Sequence, residues 1–447
     1  MKKKDIFFTG LMLFALFFGA GNLIFPPYLG MEAGKAVWPA IFGFVVTGVS
    51  LPILSVAAIA LAKDGIQSIG NYVHPLFSLC FSLTVYLAIG PFFGIPRGAS
   101  VTYEMGIKPF FDGNGGAFSL LLFTIIFFAA VYWLSLNPSK LVDRIGEILT
   151  PVLLLSIAVL CVAGIIQLKN PLQAPTEKYA SVPFFKGFME GYLTMDAIAA
   201  LAFGIVVVNA LKDRGVHQQS TMVKGTIQAG LIAGMGLALV YIATALVGAK
   251  MSVNGPFANG GDLLSSAAAL LFGSGGKLLL GVIVALACLT TCIGLTAACA
   301  QYFHEVTPNI SYKTYVTIIT IFSLAVSNLG LNQLISISAP VLTMIYPLAI
   351  VLVIMSFFHR FYQGSAKTYG MALLFTAVFS IYDGLNAFGI KAEWLKALLS
   401  WSPFFSVGLG WVVPAIIGAI IGFVMDNVAL KQHRTAQKRS TASAAKR

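Results

Sequence analysis

The stretch Phe17–Pro27 reads Phe-Phe-Gly-Ala-Gly-Asn-Leu-Ile-Phe-Pro-Pro and lies within the first apolar run of the chain, residues 6–30. That run is long enough to cross a bilayer as one helix. Gly19, Gly21 and Asn22 weaken a helix in mid-span, however, and two prolines follow them. Backbone inside a membrane can leave the helix only where protein or a water-filled cavity satisfies its polar groups. A break here therefore predicts a transporter-type binding site near the middle of the bilayer.

The composition indicates a polytopic membrane protein. Of 447 residues, 58% are hydrophobic and 10% are charged, whereas a soluble domain carries about 25% charged residues. The five cysteines lie in apolar spans without metal-ligand spacing, so we interpret them as packing residues. No Walker A, Gly-x-Ser-x-Gly or His-Glu-x-x-His motif occurs. We expect neither an enzyme nor an ATP-driven pump, and we expect no cofactor.

Twelve apolar spans and their flanking charges predict the topology. The spans lie near residues 6–30, 38–62, 76–100, 117–136, 146–167, 187–211, 222–248, 277–301, 312–329, 334–358, 367–388 and 402–425. The net charge of +12 is mainly a topology signal rather than a nucleic-acid patch, because the predicted cytoplasmic segments hold most of the lysines and arginines. Both termini are therefore predicted to be cytoplasmic. The basic tail, residues 426–447, is predicted to be disordered and attracted to anionic lipids.

The sixth span, 187–211, carries a second interruption. Glu190 and Gly191 lie near its start, Asp196 lies inside it, and Ala202-Phe203-Gly204 follows. If spans one to five and six to ten are inverted repeats, the two interrupted spans hold equivalent positions, as in many transporters. We therefore predict an all-α membrane protein with a 5+5 inverted repeat and broken helices one and six. We expect one membrane domain over residues 1–425. It would contain repeats at about 6–168 and 187–358 and two further C-terminal helices at about 367–425.

The break in span one suggests a site for a substrate carboxylate and for a coupled cation. If the helix stops near Phe18 and restarts near Asn22, the first half ends in unpaired carbonyls and the second begins with unpaired amides. Asn22 is a good N-cap, with Pro26 in or next to the first turn. The amide end attracts a carboxylate and the carbonyl end a cation. A helix-packing seam would also select small residues.

Three residues of the eighth span could bind an alkali cation. Ala287, Thr290 and Thr291 lie on one helical face, because residues three and four positions apart are neighbours on the surface of a helix. Their hydroxyl and carbonyl oxygens are hard ligands. Threonine in a membrane helix also often bonds its own backbone.

Asp196 and Arg97 are the charged residues whose roles the sequence leaves open. A charge in mid-span costs about 3 kcal/mol on insertion scales, so Asp196 is a functional candidate. It could carry a proton, contact a cation or orient the substrate amine, or it could be a structural partner of a neighbouring helix. For Arg97 we favour a structural pair with Glu104, seven residues later, or an external gate.

Four motifs together resemble the bacterial branched-chain amino acid carrier family. They are Phe17–Pro27, Leu136–Lys140, Gly191–Ala197 and Ala287–Thr291. The resemblance covers nearly the whole chain. It implies import of leucine, isoleucine and valine by cation symport across the bacterial inner or plasma membrane.

That family is distantly similar to the fold of the bacterial leucine transporter, which implies specific sites. The substrate site would comprise Gly19, Ala20, Gly21 and Asn22 with Ala202, Phe203 and Gly204, the last three within an unwound stretch. A sodium site would comprise the carbonyls of Ala15 and Phe18 with Ala287, Thr290 and Thr291. Ile198 stands where that fold places a threonine ligand, and Asp196 has no obvious counterpart there.

The resulting hypothesis is a secondary symporter with sodium or protons as the coupling ion and membrane lipid as its surroundings. A cation-coupled carrier of another small solute is the first alternative. A membrane sensor that binds an amino acid without moving it is the second.

Overall fold

The computed structural model describes residues 3–62, 65–111, 116–136, 150–213 and 215–444, and every regular element in these ranges is helical. The α-helices are α1 Lys3–Phe17, α2 Ala20–Ala33, α3 Val37–Val45, α4 Leu51–Ala62, α5 Ile66–Asn71, α6 Pro75–Leu87, α7 Gly94–Gly106, α8 Ala117–Ser135, α9 Thr150–Gln167, α10 Glu177–Ala180, α11 Pro183–Glu190, α12 Asp196–Asp213, α13 Gln219–Met251, α14 Gly260–Val306, α15 Tyr312–Ser327, α16 Leu331–Phe357, α17 Ala366–Ala387, α18 Glu393–Leu399 and α19 Val412–Ala444. Most of the Leu136–Lys140 motif, residues 137–140, lies outside the described residues.

The helices confirm the all-α membrane class. Within the described ranges, eight helices are long and apolar enough to cross a membrane, or nine if one bent pair is counted as a single span. Two shorter apolar helices, Tyr312–Ser327 and Val412–Val428, add to these. The count of twelve spans and the inverted repeat remain predictions.

One predicted boundary in the C-terminal region is wrong. The last predicted span begins at Val412 rather than at 402, because Phe404 and Gly408 adopt left-handed conformations that interrupt a helix. The disorder of the tail stays a prediction.

The helices pack into two compact units: residues 1–65 with 83–342, and residues 66–82 with 343–447. In the first unit, α2 lies directly on α13. A Cβ added to Gly30 would stand 1.9 Å from the Ala245 carbonyl oxygen, and one on Gly248 would stand 1.9 Å from that of Pro27. Only glycine permits this approach, so the second half of span one, α2, is fixed closely to α13.

In the second unit, α17 and α19 form a close pair. Gly418 and Gly422 have the Gly-x-x-x-Gly spacing that lets helix backbones approach in a membrane. A Cβ on Gly422 would lie 2.4 Å from the Lys367 carbonyl oxygen. Lys367 also forms an ion pair with Asp426 at 3.4 Å.

Candidate functional site

The predicted break in span one is present, between α1 and α2. Phe18 and Gly19 are the non-helical residues between Phe17 and Ala20. The Gly19 N–H donates to Asn22 Oδ1 at 3.2 Å, so the Asn22 side chain reaches back over the start of α2. The α1 carbonyls and the α2 amides therefore end at one place, as predicted.

Two details of that prediction are wrong. The N-cap position is Gly19 rather than Asn22, because the chain re-enters a helix after only two residues. Asn22 is consequently the third residue of α2 and caps from inside the helix. Pro26 and Pro27 lie inside α2 rather than in or next to its first turn.

The break in span six lies among the residues predicted to interrupt it, between Glu190 and Asp196. A 3₁₀ turn, Gly191–Thr194, follows α11, and Met195 is left-handed with φ 71°. Helix α12 then begins at Asp196, and the two halves of the span bend by 45°.

The predicted unwound stretch Leu201–Gly204 is instead regular helix within α12. Its glycine serves packing, because a Cβ on Gly204 would lie 2.6 Å from the Ile59 Cβ of α4. Phe203 is buried, with its ring 6.2 Å from that of Phe17. The Phe203 side chain therefore packs against the end of α1.

Asp196 joins the two breaks through a buried hydrogen-bond network. Asn22 Nδ2 donates to Asp196 Oδ2 at 2.6 Å, and the Tyr241 hydroxyl donates to the same oxygen at 2.9 Å. Asn22 Nδ2 also contacts the Tyr241 hydroxyl. Asp196 Oδ2 accepts both of these bonds, and Oδ1 takes part in neither of them.

Arg97 of α7 holds the break in span six. Its Nη1 donates to the Leu193 carbonyl at 2.7 Å and its Nη2 to the Thr194 carbonyl at 3.1 Å. The guanidinium also lies 5.5 Å from the centre of the Phe25 ring of α2, within the range of a cation–π contact. Arg97 is thus bound to both broken spans.

The predicted pair between Arg97 and Glu104 does not form. Glu104 instead bonds Lys108 at 2.8 Å, one turn along α7. The side chain of Arg97 is directed toward the carbonyl ends at the break, where a positive charge is favoured.

A buried cavity of about 30 Å³ lies where the two breaks meet. The polar and charged side chains in its lining are those of Asn22, Arg97, Thr194, Asp196 and Thr291. Its remaining lining consists of Leu16, Phe17, Gly19, Ala20, Gly21, Ile89, Gly94, Met195, Ala199 and Leu295. The predicted residues of span one and Asp196 therefore face the cavity, whereas Ala202, Phe203 and Gly204 lie outside its lining.

The predicted cation ligands also come together, beside this cavity. Thr291 Oγ1 lies 3.4 Å from the Ala15 carbonyl oxygen and 3.3 Å from that of Phe18. Thr290 Oγ1 lies 3.5 Å from the Ala15 oxygen and 3.0 Å from the Ala287 oxygen. The contacts to Ala15 and Phe18 exceed the usual hydroxyl-to-oxygen range of about 2.5–3.0 Å. Such a loose cluster of hydroxyls and carbonyls suits a small hard cation.

The sequence interpretation missed several site residues. Tyr241 is fully buried and bonds Asp196, yet nothing distinguishes it among 15 tyrosines. Thr194 lines the cavity, whereas Ile198, the position compared with a threonine ligand, is absent from its lining. Thr194 lies four residues before Ile198, in the turn that breaks the span. A comparison that placed the break at this turn would have identified Thr194.

Comparisons with known proteins give a consistent picture. A family model described as "Branched-chain amino acid transport protein" matches residues 2–429. The chain is 47% identical to branched-chain amino acid permease BraB of Bacillus subtilis, over 94% of this chain and 95% of that protein. It is 42% identical to the branched-chain amino acid transport system 2 carrier protein of Pseudomonas aeruginosa, over 96% and 97%.

Two solved structures share its fold. MhsT in complex with L-phenylalanine aligns with a TM-score of 0.54 and 17% identity, over 93% of this chain and 97% of that one. Mhp1, a nucleobase-cation-symport-1 family transporter, aligns with a TM-score of 0.56 and 15% identity, over 91% and 96%. At this level of identity the likeness concerns the fold alone.

Proposed function

This chain belongs to the branched-chain amino acid transport protein family, and from that premise we propose that it is a secondary active symporter importing leucine, isoleucine and valine with sodium. It would operate in a bacterial cell membrane with both termini cytoplasmic. It is not an enzyme, since its relatives are permeases and carriers. The observation that carries the sodium assignment is the convergence of Thr290 and Thr291 on the span-one carbonyls.

The substrate carboxylate binds at the start of α2. The backbone of Ala20 and Gly21 lines the cavity at a helix N-terminus, where amides and the helix dipole favour an anion. Arg97 adds positive charge there: a Cβ on Gly21 would lie 2.9 Å from its Nη2. Glycine is required at position 21 because the same Cβ would also stand 2.9 Å from the Thr194 Cα.

The substrate ammonium binds near Asp196. This carboxylate faces the cavity and is 3% exposed, so its interaction with a positive charge is only weakly screened. Asn22 and Tyr241 hold Oδ2 in place, which orients Oδ1 toward the ligand. The apolar lining residues then receive the branched side chain.

The cation binds at the end of α1, against Thr290 and Thr291 of α14. Both threonines meet α1 next to the Gly19 turn, and a Cβ on Gly19 would stand 3.0 Å from Thr291 Oγ1. Cation and substrate thus share one non-helical segment, Phe18–Gly19. Moving one charge through 100 mV supplies about 2.3 kcal/mol, or roughly fifty-fold accumulation.

Proton coupling through Asp196 is the second candidate, because this ionisable group is buried and faces the cavity. Sodium is favoured because two donors already occupy Asp196 Oδ2, whereas the oxygens at Thr290 and Thr291 are loosely arranged.

Counterflow in proteoliposomes tests the substrate assignment. Vesicles loaded with unlabelled leucine should take up labelled leucine, and isoleucine and valine should compete where serine, lysine and a nucleobase do not. Gly21→Ala, which places a methyl group against Arg97, should abolish the exchange. Exchange of another solute instead would establish the alternative carrier, and leucine binding without counterflow would indicate a sensor.

A further inference from the structure

Span three is broken as well, beside the cavity. Helix α6 ends at Leu87, and a π-helical turn, Ala88–Phe92, separates it from α7. Inside this turn, Gly90 has non-helical backbone angles and Pro91 lacks an N–H donor. π-turns within membrane helices often mark functional positions.

The broken segment forms part of the cavity wall. Ile89, within the turn, and Gly94, two residues after it, both line the cavity, and Ile89 is buried. A Cβ on Gly94 would stand 1.9 Å from the Ile89 carbonyl oxygen. Glycine at 94 therefore allows α7 to begin directly against Ile89 and fixes where that residue stands.

Ile89 is separate from the groups that would hold the amino acid head and the cation. Leu16 and Phe17 lie between Ala15 and Phe18, whose carbonyls are the proposed cation ligands. Leu295 follows Thr291 by one helical turn. Ile89 lies before the Gly90 break of span three, whereas Arg97 lies after that break and the cation ligands belong to spans one and eight. Its size can therefore be changed without replacing any of these ligands.

The cavity has to enlarge to accept a substrate. A volume of about 30 Å³ holds roughly two water molecules, and a leucine molecule is several times larger. A cavity wall whose backbone lacks the regular helical hydrogen bonds moves more easily than an intact helix.

We propose that Ile89, displayed by the break at Gly90, determines which side chains this transporter accepts. The inference rests on the proposed function. In this account the Ile89 side chain contacts the branched end of the substrate, and Gly94 is the residue that positions it.

Ile89→Ala tests this, with Ile95→Ala as the matched control. Ile95 is an equally buried isoleucine of the same span that is absent from the cavity lining. Ile89→Ala should raise the kcat/KM of methionine and phenylalanine relative to leucine by about tenfold or more, because hydrophobic pockets discriminate by size. Ile95→Ala should leave the ratio unchanged.

Two further variants keep the test decisive if Ile89→Ala fails to fold. Ile89→Val should weaken leucine relative to methionine by a smaller factor in the same direction. Gly94→Ala should change the leucine-to-valine ratio, whereas Gly106→Ala, on the same helix outside the cavity lining, should not.

The outcomes separate the two proposals. Unchanged ratios in active Ile89→Ala and Ile89→Val proteins would overturn the role of Ile89 and leave the transport assignment intact. A wild-type protein that exchanges no branched-chain amino acid would overturn the proposed function itself.

Discussion

The breaks in spans one and six are held in different ways. In span one, Gly19 and the Asn22 side chain close the turn within four residues of sequence. In span six, the non-glycine residue Met195 is left-handed, and the preceding carbonyls bond Arg97 from another span. The first break is thus encoded locally, whereas the second depends on tertiary contacts. A purely local signal should therefore predict the first better than the second.

The largest effect is expected where the two breaks are joined, at Asp196. Asp196→Asn removes the charge that faces the substrate ammonium while keeping the shape of the side chain. Loss of a buried charge partner costs about 2–5 kcal/mol, so we expect leucine uptake to fall about 100-fold. Uptake by proteoliposomes measures this, with Asp262→Asn, outside the lining of the central cavity, as control. Full activity with an unchanged pH profile would return Asp196 to a structural role.

The cation site at the first break gives the next largest effect. Thr290→Val with Thr291→Val removes two oxygen ligands and keeps the side-chain volume. Sodium-driven leucine accumulation should fall from roughly fifty-fold to the sodium-free level. Thr296→Val, another buried threonine of α14, should retain sodium dependence. Normal sodium stimulation of the double variant would show that the coupling cation does not bind at Thr290 and Thr291.

The break in span six should depend on the Arg97 side chain more than the break in span one does. Arg97→Lys replaces a planar group that bonds two carbonyls with a point charge that cannot match both. We expect about tenfold slower transport, measured as initial leucine uptake. Arg360→Lys, in the loop after α16, is the control. Wild-type rates in the Arg97 variant would show that span six keeps its break without this contact.

Met195 should give the smallest effect. Left-handed backbone costs a non-glycine residue about 1–2 kcal/mol, and a β-branched residue fits it worse. Met195→Ile should therefore lower the melting temperature in detergent by a few degrees, while Met195→Gly should change it little. Equal melting temperatures for the two variants would mean that this residue is not left-handed in the folded protein.

The sequence predicted the fold class and the break in span one, because hydrophobic run length and glycine placement are local signals. The meeting of Thr290 and Thr291 with Ala15 and Phe18 was implied by the resemblance to the fold of the bacterial leucine transporter. The unwound stretch implied by that resemblance was placed wrongly at Leu201–Gly204, because a glycine that packs on Ile59 looks the same in sequence as one that unwinds a helix.

Partners supplied by distant spans escaped prediction for a related reason. The bond from Tyr241 to Asp196 and the reach of Arg97 to Leu193 depend on how spans pack. Hydropathy does not encode that packing. The third break, at Gly90, carries a local signal, because Gly90 and Pro91 are adjacent and both weaken a helix.

The central claim is that the carbonyl end of the first break binds the coupling cation, and leucine uptake under separated gradients tests it most directly. Proteoliposomes receive an inward sodium gradient at equal pH, and a matched set receives an inward proton gradient without sodium. Accumulation with sodium alone, lost in the Thr290→Val and Thr291→Val double variant, is the predicted result. Accumulation driven only by the proton gradient, and unaffected in that variant, would contradict the claim and assign coupling to Asp196.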